Sequence, residues 1–502
     1  MSVLGSEVQG AGLDLGFVCQ GWAPDLGGVE SHAQDLAREL IARGHRVHVL
    51  CLDGREGLQP YATRDERDQG VHVRRMAYRY HDHGALADLV LNRRAEDVIA
   101  AWLAETPCDL VHVMHLSGFG LGALRAIHDL GQPLVMTLHD YWPLCPRGQM
   151  LRVDGSVCAV PEPVACASCI ARTWPHLMPS QGARAQGPAG EALTSDERAA
   201  EARTAYAVAC LALPQRLYTP SSAARAVYER AGVPAGRVRV LENGIELAEL
   251  AQQVAAERAA RAGTKDERDV HLGVLGSVLP SKGVLELARS CVAAALPNLH
   301  LHVHGNLPSY HGDTSTIDAL RALAESDARV HVHGPYARSE LPRILAGLDG
   351  VAAPSRWEEV FGLSVREARA AGLPVLVSDA GDLARVAQDG EAGLVVPRDD
   401  AAAWTHALRR FAGDAQQRAR WAQAPSSVRG ARAMMLELER EYVAAIVELT
   451  GREPRLAQPL EPLGDAQGAA SRLGQPSAAP AARAAAPAAA ARGPWWKRLL
   501  GG

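Results

Sequence analysis

What most constrains this chain is a strand–helix alternation that runs, breaks off and starts again. "LDLGFVC" (13–19) is a short apolar run, and "QGWAPDLGG" (20–28) is a turn-rich loop. Val29, Ala33, Leu36, Ala37, Leu40 and Ile41 then recur at helical spacing until Gly44, after which "HRVHVLCL" (45–52) resumes as strand. That is a βαβ unit. The runs "DLVHVMH", "PLVMTLH" and "RLYTPSS" repeat it with helical segments between them, which predicts a parallel sheet covered on both faces. A charged, Ala-rich stretch (252–269) interrupts the pattern, which restarts with "VHLGVLGS", "LHLHVHG", "RVHVHG", "GVAAPS" and "LPVLVSD". The expected fold class is therefore α/β, with two doubly wound, Rossmann-like halves whose ligands bind beyond the carboxyl ends of the strands, in the cleft where the halves face each other.

At 502 residues the chain suits two large domains plus extra segments. The expected organisation is a first half over 1–250 with a Cys-rich insertion at 141–195, a linker at 251–269, a second half over 270–425 and a helix at 426–451. The Ala/Pro-rich stretch 452–493 is expected to be disordered, because it cannot bury enough apolar surface to offset the entropy of ordering. In the final segment, 494–502, "PWWKRLL" combines aromatic, basic and apolar side chains suited to a lipid headgroup layer or a protein partner.

A net charge of −5, from 52 basic and 57 acidic residues, argues against nucleic acid as a partner. No apolar run is long enough to span a bilayer and the first residues do not read as a secretory signal, so a cytoplasmic location is expected, with peripheral contact at the inner face of the membrane through 494–500. The nine cysteines should then be reduced. Only three lysines occur, Lys265, Lys282 and Lys497, which singles out each of them.

In "SRWEEVFGLSVREA" (355–368), Glu359 and Glu367 lie eight apart, a spacing that does not put them on one face of a single helix. The segment reads as a loop leaving the strand "GVAAPS" and entering a helix closed by Gly372, so Phe361, Gly362, Leu363 and Ser364 form a helix N-terminus suited to phosphate. Carboxylates on either side suit vicinal hydroxyls instead, since each accepts two hydrogen bonds. A diphosphate flanked by two polyols is a nucleotide sugar.

The stretch from Ser355 to Pro397 resembles the nucleotide-sugar half of the retaining glycosyltransferases of family 4, which have the GT-B fold and a Glu-x7-Glu signature. The resemblance implies that Glu359 contacts the donor sugar and Glu367 the ribose. It also implies that Gly27 and Gly28, in "DLGGVESH", close over the diphosphate and that His139, in "TLHD", faces the transferred sugar. "GVLGSVLPSKG" is similar to the family's Gly-Arg-x-x-x-x-Lys-Gly loop; Gly276 and Lys282 match it, whereas Ser277 stands where arginine is usual. The chain contains no Asp-x-Asp triplet, so the expected donor is a nucleoside-diphosphate sugar held without a catalytic metal, and the acceptor a glycan or lipid-linked molecule. A catalytically silent homologue that binds nucleotide or a protein partner is the alternative, and Ser277 is the residue that favours it.

Cys145, Cys158, Cys166 and Cys169 fall within 25 residues and end in a C-x-x-C, a set that suits a structural zinc, an iron–sulfur cluster or reduced packing cysteines. His300, His302 and His304, like His331 and His333, share a strand face; in a chain with 19 histidines they are expected to be ordinary strand residues.

Overall fold

The computed structural model describes residues 11–23, 27–79, 83–178, 193–261 and 269–462. In its first half β1 (Asp14–Val18), β2 (Arg46–Asp53), β3 (Thr63–Asp68), β4 (Val71–Ala77), β5 (Leu110–Val113), β6 (Leu134–Thr137), β7 (Arg216–Thr219) and β8 (Val238–Val240) form one sheet, in the order β3-β4-β2-β1-β5-β6-β7-β8. The second half holds β9 (Val270–Leu275), β10 (Leu299–His304), β11 (Val330–Gly334), β12 (Gly350–Ala353), β13 (Val375–Ser378) and β14 (Gly393–Val396), in the order β11-β10-β9-β12-β13-β14. Strand order reverses between β1 and β5 in one sheet and between β9 and β12 in the other. Both sheets are thus doubly wound, with a ligand crevice expected at each reversal.

All pairs are parallel except β3 with β4. That hairpin turns at Gln69 and Gly70, both in the left-handed region (φ 46° and 89°), as a tight two-residue connection requires. Every residue of β5, β6 and β13 is buried, as expected for strands covered on both faces.

The helix Gly28–Ala42 packs on one face of the first sheet beside Ala431–Thr450, which returns from the end of the second half. Met434, Leu438 and Tyr442 of that last helix enter the first half's core. The Tyr442 hydroxyl meets His112 Nδ1 at 2.7 Å, and the Arg43 guanidinium pairs with Glu439 at 3.0 Å, both groups almost fully buried. The helix Leu247–Ala260, in the region expected to be the linker, belongs instead to the second half, where Val254 joins the core.

Residues 452–462 depart from the expected disorder. Arg43 has donors beyond those Glu439 satisfies, and they reach Gln458 and Glu461, each at 2.9 Å, and the Pro459 carbonyl at 2.8 Å. These contacts, with Arg455 O accepting from Gly12 N at 2.9 Å, hold the segment on the first half. The rest of the expected disordered stretch and the segment 494–502 lie outside the described residues. Among the described residues no helix is long and apolar enough to cross a membrane.

Candidate active site

At the reversal of the second sheet, one loop leaves β9 and another leaves β12. The β9 loop carries Lys282 in a short 3-10 turn (Pro280–Lys282) that ends at Gly283. Gly283 has φ +66°, and a Cβ there would meet the Pro354 carbonyl oxygen at 2.1 Å. Only glycine lets the two loops come this close. The contact lets Lys282 Nζ donate to Glu359 Oε1 across the crevice. The same oxygen accepts from Ser355 Oγ at 2.6 Å and from Trp357 Nε1 at 2.9 Å. Glu359 is buried, its carboxylate fixed by three donors from two loops, and Lys282 lies 5.1 Å from the centre of the Trp357 ring. Gly276, at the start of the β9 loop, is exposed with φ +116°, and Ser277 beside it is half-buried.

The β12 loop ends at Gly362, whose φ of +69° starts the helix Leu363–Ala370. A Cβ there would sit 2.5 Å from Leu383 Cδ2, so glycine is again required. Leu363 and Ser364 are half-buried at the helix start. Phe361 is buried under the Arg366 guanidinium, 3.7 Å from its ring centre. One turn into the helix, burial pushes the Glu367 carboxyl up to about 7, against the pull of Arg338; the negative charge of Asp35 adds to the rise. Arg338 in turn pairs at 2.7 Å with Asp35, on the helix Gly28–Ala42 of the first half. Both members of the Glu-x7-Glu pair therefore line the cleft, with Glu359 at the sheet reversal and Glu367 beside an ion pair that links the halves.

The first half supplies the opposite wall. Gly27 and Gly28 are exposed at the start of Gly28–Ala42, with Gly27 N donating to Glu30 Oε2 at 2.9 Å. A Cβ on Gly28 would touch nothing, so its glycine answers to no neighbour within the chain. His139 follows β6, with its ring 4.8 Å from that of His32. Burial pulls both imidazoles down, His32 to about 4, and neither His139 Nε2 nor either nitrogen of His32 has a partner. The Tyr141 hydroxyl is likewise buried and unpartnered, and its ring meets that of Trp357 edge-on at 5.9 Å. Burial lowers His115, but the Asp140 carboxylate at 3.1 Å more than offsets it and holds this imidazole above its usual value. Each unpartnered buried polar atom costs about 1–3 kcal/mol until something fills it.

Sequence reading had not singled out Asp35, Arg338, His32, Tyr141 or Arg366. Arg366 is buried, pairs with Asp382 and with Glu242 at 3.0 Å, and so ties the helix after Gly362 to the segment following β8. Tyr141 lies two residues beyond His139, and His32 four beyond Gly28. Their proximity to the motifs was the one available signal.

The Cys-rich insertion leaves β6 and reaches the second half. Arg147 Nη2 donates to Tyr310 OH at 3.2 Å, the Tyr310 hydroxyl donates to Gln149 Oε1 at 3.1 Å, and the Trp174 ring meets His311 at 4.9 Å. Cys166 and Cys169 lie one turn apart on the helix Pro163–Thr173, and all four clustered cysteines are half-buried free thiols. Burial, then the neighbouring Cys145, push Cys158 up and Cys166 to about 12. The four form one electrostatic neighbourhood, but their sulfurs do not converge as a group of metal-ligating atoms.

Two doubly wound halves facing each other across their strand ends define the GT-B class of fold. Residues 26–249 match the model of Glycosyltransferase Family 4, and residues 269–414 match that of Glycosyl transferases group 1. The chain belongs to this glycosyltransferase family. It is 33% identical over 175 residues to the D-inositol 3-phosphate glycosyltransferase of Mycobacterium sp. (strain KMS), a match covering 34% of this chain and 38% of that one. The chain thus spans about two-fifths of the length of the curated relatives it matches. Among solved structures, sucrose-phosphate synthase from Thermosynechococcus elongatus superposes with a TM-score of 0.62 at 18% identity, over 87% of this chain and 100% of that one. Anabaena HepE in complex with UDP and glucose gives 0.58 at 17% identity, over 86% and 99%. At such identities the superpositions establish the fold.

Proposed function

We propose that the protein transfers a sugar from a nucleoside-diphosphate sugar to a glycan or lipid-linked acceptor, with retention of configuration and without a catalytic metal. The observation that carries this reading is the Lys282–Glu359 contact at the β9/β12 reversal, opposite the unpartnered His139 and Tyr141. In this account the diphosphate lies over Gly276 and the start of the helix Leu363–Ala370, where orphan backbone N–H groups and the ammonium of Lys282 take its charge. Lys282 then exchanges Glu359 for phosphate oxygen and balances the charge that builds up as the nucleotide leaves. Glu359, still held by Ser355 and Trp357, accepts hydrogen bonds from the sugar, and Glu367 accepts them from the ribose. Gly27 and Gly28 offer backbone to the diphosphate from the other wall, and His139 meets the sugar as a neutral imidazole.

The name of the mycobacterial relative supports glycosyl transfer, and the UDP and glucose in the HepE structure and the UDP-2-fluoro glucose in the E. coli structure support a nucleotide-sugar donor. We further propose that Cys145, Cys158, Cys166 and Cys169 hold a structural zinc once their side chains converge on it. The Arg152 guanidinium already lowers the pKa of the Cys158 thiol against the effect of burial and would offset thiolate charge there. The silent-homologue reading retains one supporting observation, Ser277 in place of a second cation. Nucleotide release on incubation with a panel of nucleotide sugars separates the two readings: steady release marks the enzyme, tight binding without release the silent form.

A further inference from the structure

A depression of about 1090 Å3 in the described surface lies outside the proposed donor cleft. Its lining includes His271, His302, His304, His333 and Glu340, but not Lys282, Glu359 or Glu367. Strand alternation puts these imidazoles together. In β10, Leu299, Leu301 and Val303 point into the core while His300, His302 and His304 occupy the other face. His271 of β9 lies opposite His300 in register, and His331 of β11 lies opposite His302.

A bulge breaks that regularity. Pairing of β10 with β11 runs His302–His331 and Val303–Val332, then jumps to His304–Gly334, so His333 has no partner opposite it. A bulge re-aims the side chain it leaves unpaired. His333 accordingly falls between the two β10 histidines. Its Nε2 is 3.0 Å from His302 Nδ1, and its ring lies 4.2 Å from that of His304 with planes 6° apart. One ring nitrogen from each of the three lies within 4.8 Å of the others.

We propose that His302, His304 and His333 bind one divalent transition-metal ion of the class that prefers imidazole, such as Zn2+, Co2+ or Ni2+. Ligand nitrogens about 2.0–2.1 Å from a tetrahedral ion sit about 3.3 Å from one another. The His302–His333 pair, at 3.0 Å, is already close to that spacing, and a side-chain rotation of the partly exposed His304 closes the third side. His302 Nε2, the nitrogen pointing away, is 2.9 Å from His271 Nδ1. Such an outer partner fixes the tautomer of a ligating histidine. The proton now shared by His302 and His333 moves to another ring nitrogen on coordination, and His271 is placed to accept from His302 Nε2–H. Water completes the coordination on the open side. The convergence of these three histidines could not be read from the sequence, because alternation does not reveal the bulge. The site is independent of the donor chemistry, so it stands or falls apart from the proposed activity.

The test is cobalt uptake by metal-stripped, full-length protein, with Cys166→Ser and Cys169→Ser introduced to disable the thiol cluster. One equivalent of Co2+ with visible d–d absorption and no sulfur-to-cobalt charge-transfer band is expected, and His302→Gln or His333→Gln should weaken it at least tenfold. A second measurement uses the wild-type chain: zinc should shield His302, His304 and His333 from diethyl pyrocarbonate while the exposed His128 still reacts, as read by peptide mass spectrometry. Absence of histidine-dependent cobalt uptake, or equal labelling with and without zinc, overturns the proposal.

Discussion

Lys282 and Glu359 meet across the reversal of the second sheet, one on the loop after β9 and the other on the loop after β12. The contact ties the chain's one lysine within the described residues to a carboxylate already held by Ser355 and Trp357. If the donor binds at Lys282 as proposed, it displaces an internal partner of that lysine. Glu359→Gln should free Lys282 and leave nucleotide binding within a few-fold of wild type while cutting turnover sharply. Calorimetry of nucleotide binding beside steady-state rates checks both halves of that expectation.

Lys282→Ala should slow turnover on the order of a hundredfold, since one preorganised cation at a dry leaving group contributes about that much. The rate should fall without a matching rise in KM. A variant with unchanged turnover would mean that the β9 loop does not face the diphosphate.

Glu367 should give the proposed donor site a pH dependence. Its folded-state value of about 7 lies above its ordinary 4.5, so the neutral acid favours the folded chain. This contribution is complete below about pH 4.5 and is lost as the pH rises through 7, a swing of up to about 3 kcal/mol. Glu367→Gln should therefore stabilise the nucleotide-free protein at pH 8 and leave it nearly unchanged at pH 4.5, as thermal melts would register. Nucleotide affinity should rise with pH between 6 and 8 in the wild type, because the carboxylate form accepts the ribose hydroxyls, and should lose that slope in Glu367→Gln.

Arg43→Ala should cost about 3–5 kcal/mol, because it leaves the buried Glu439 carboxylate with His45 alone. It should also partly release residues 452–462, which lose their contacts with this guanidinium but keep those with Gly12, Arg432 and Arg440. Faster proteolysis near Gln458 would report that release.

If the clustered cysteines hold zinc, purified protein should carry metal that Cys166→Ser or Cys169→Ser removes and that neither histidine variant of the second proposed site affects. Four titratable thiols in protein with full activity and no metal at this cluster would refute the assignment.

Ten of the fourteen strands among the described residues could be read from the sequence, because buried parallel strands are near-continuous apolar runs bounded by turns. β3 could not. "TRDERD" contains no apolar residue, and its place at the sheet edge rests on pairs such as Arg74–Asp65 and Arg75–Glu66, both 2.7 Å, which exist only once β4 lies alongside. The Glu-x7-Glu pair and Lys282 were legible because loop and helix surround them in sequence. Asp35 and Arg338 were not, since each is the other's partner across the two halves, and Arg366 was not, since its pairs with Asp382 and Glu242 form only once the loops around it are folded. The docking of 452–462 was hidden for the same reason: composition records what a segment lacks, not that a buried arginine elsewhere needs its acceptors.

The most direct measurement of the central claim is release of nucleoside diphosphate from a panel of nucleotide sugars, with wild type beside Glu359→Gln and Lys282→Ala. At least one donor should be turned over by the wild type, and both variants should fall by about a hundredfold or more on that donor while still binding nucleotide. Turnover that survives both substitutions would contradict it, as would a wild-type protein that binds nucleotide sugar tightly yet releases nothing with any acceptor supplied.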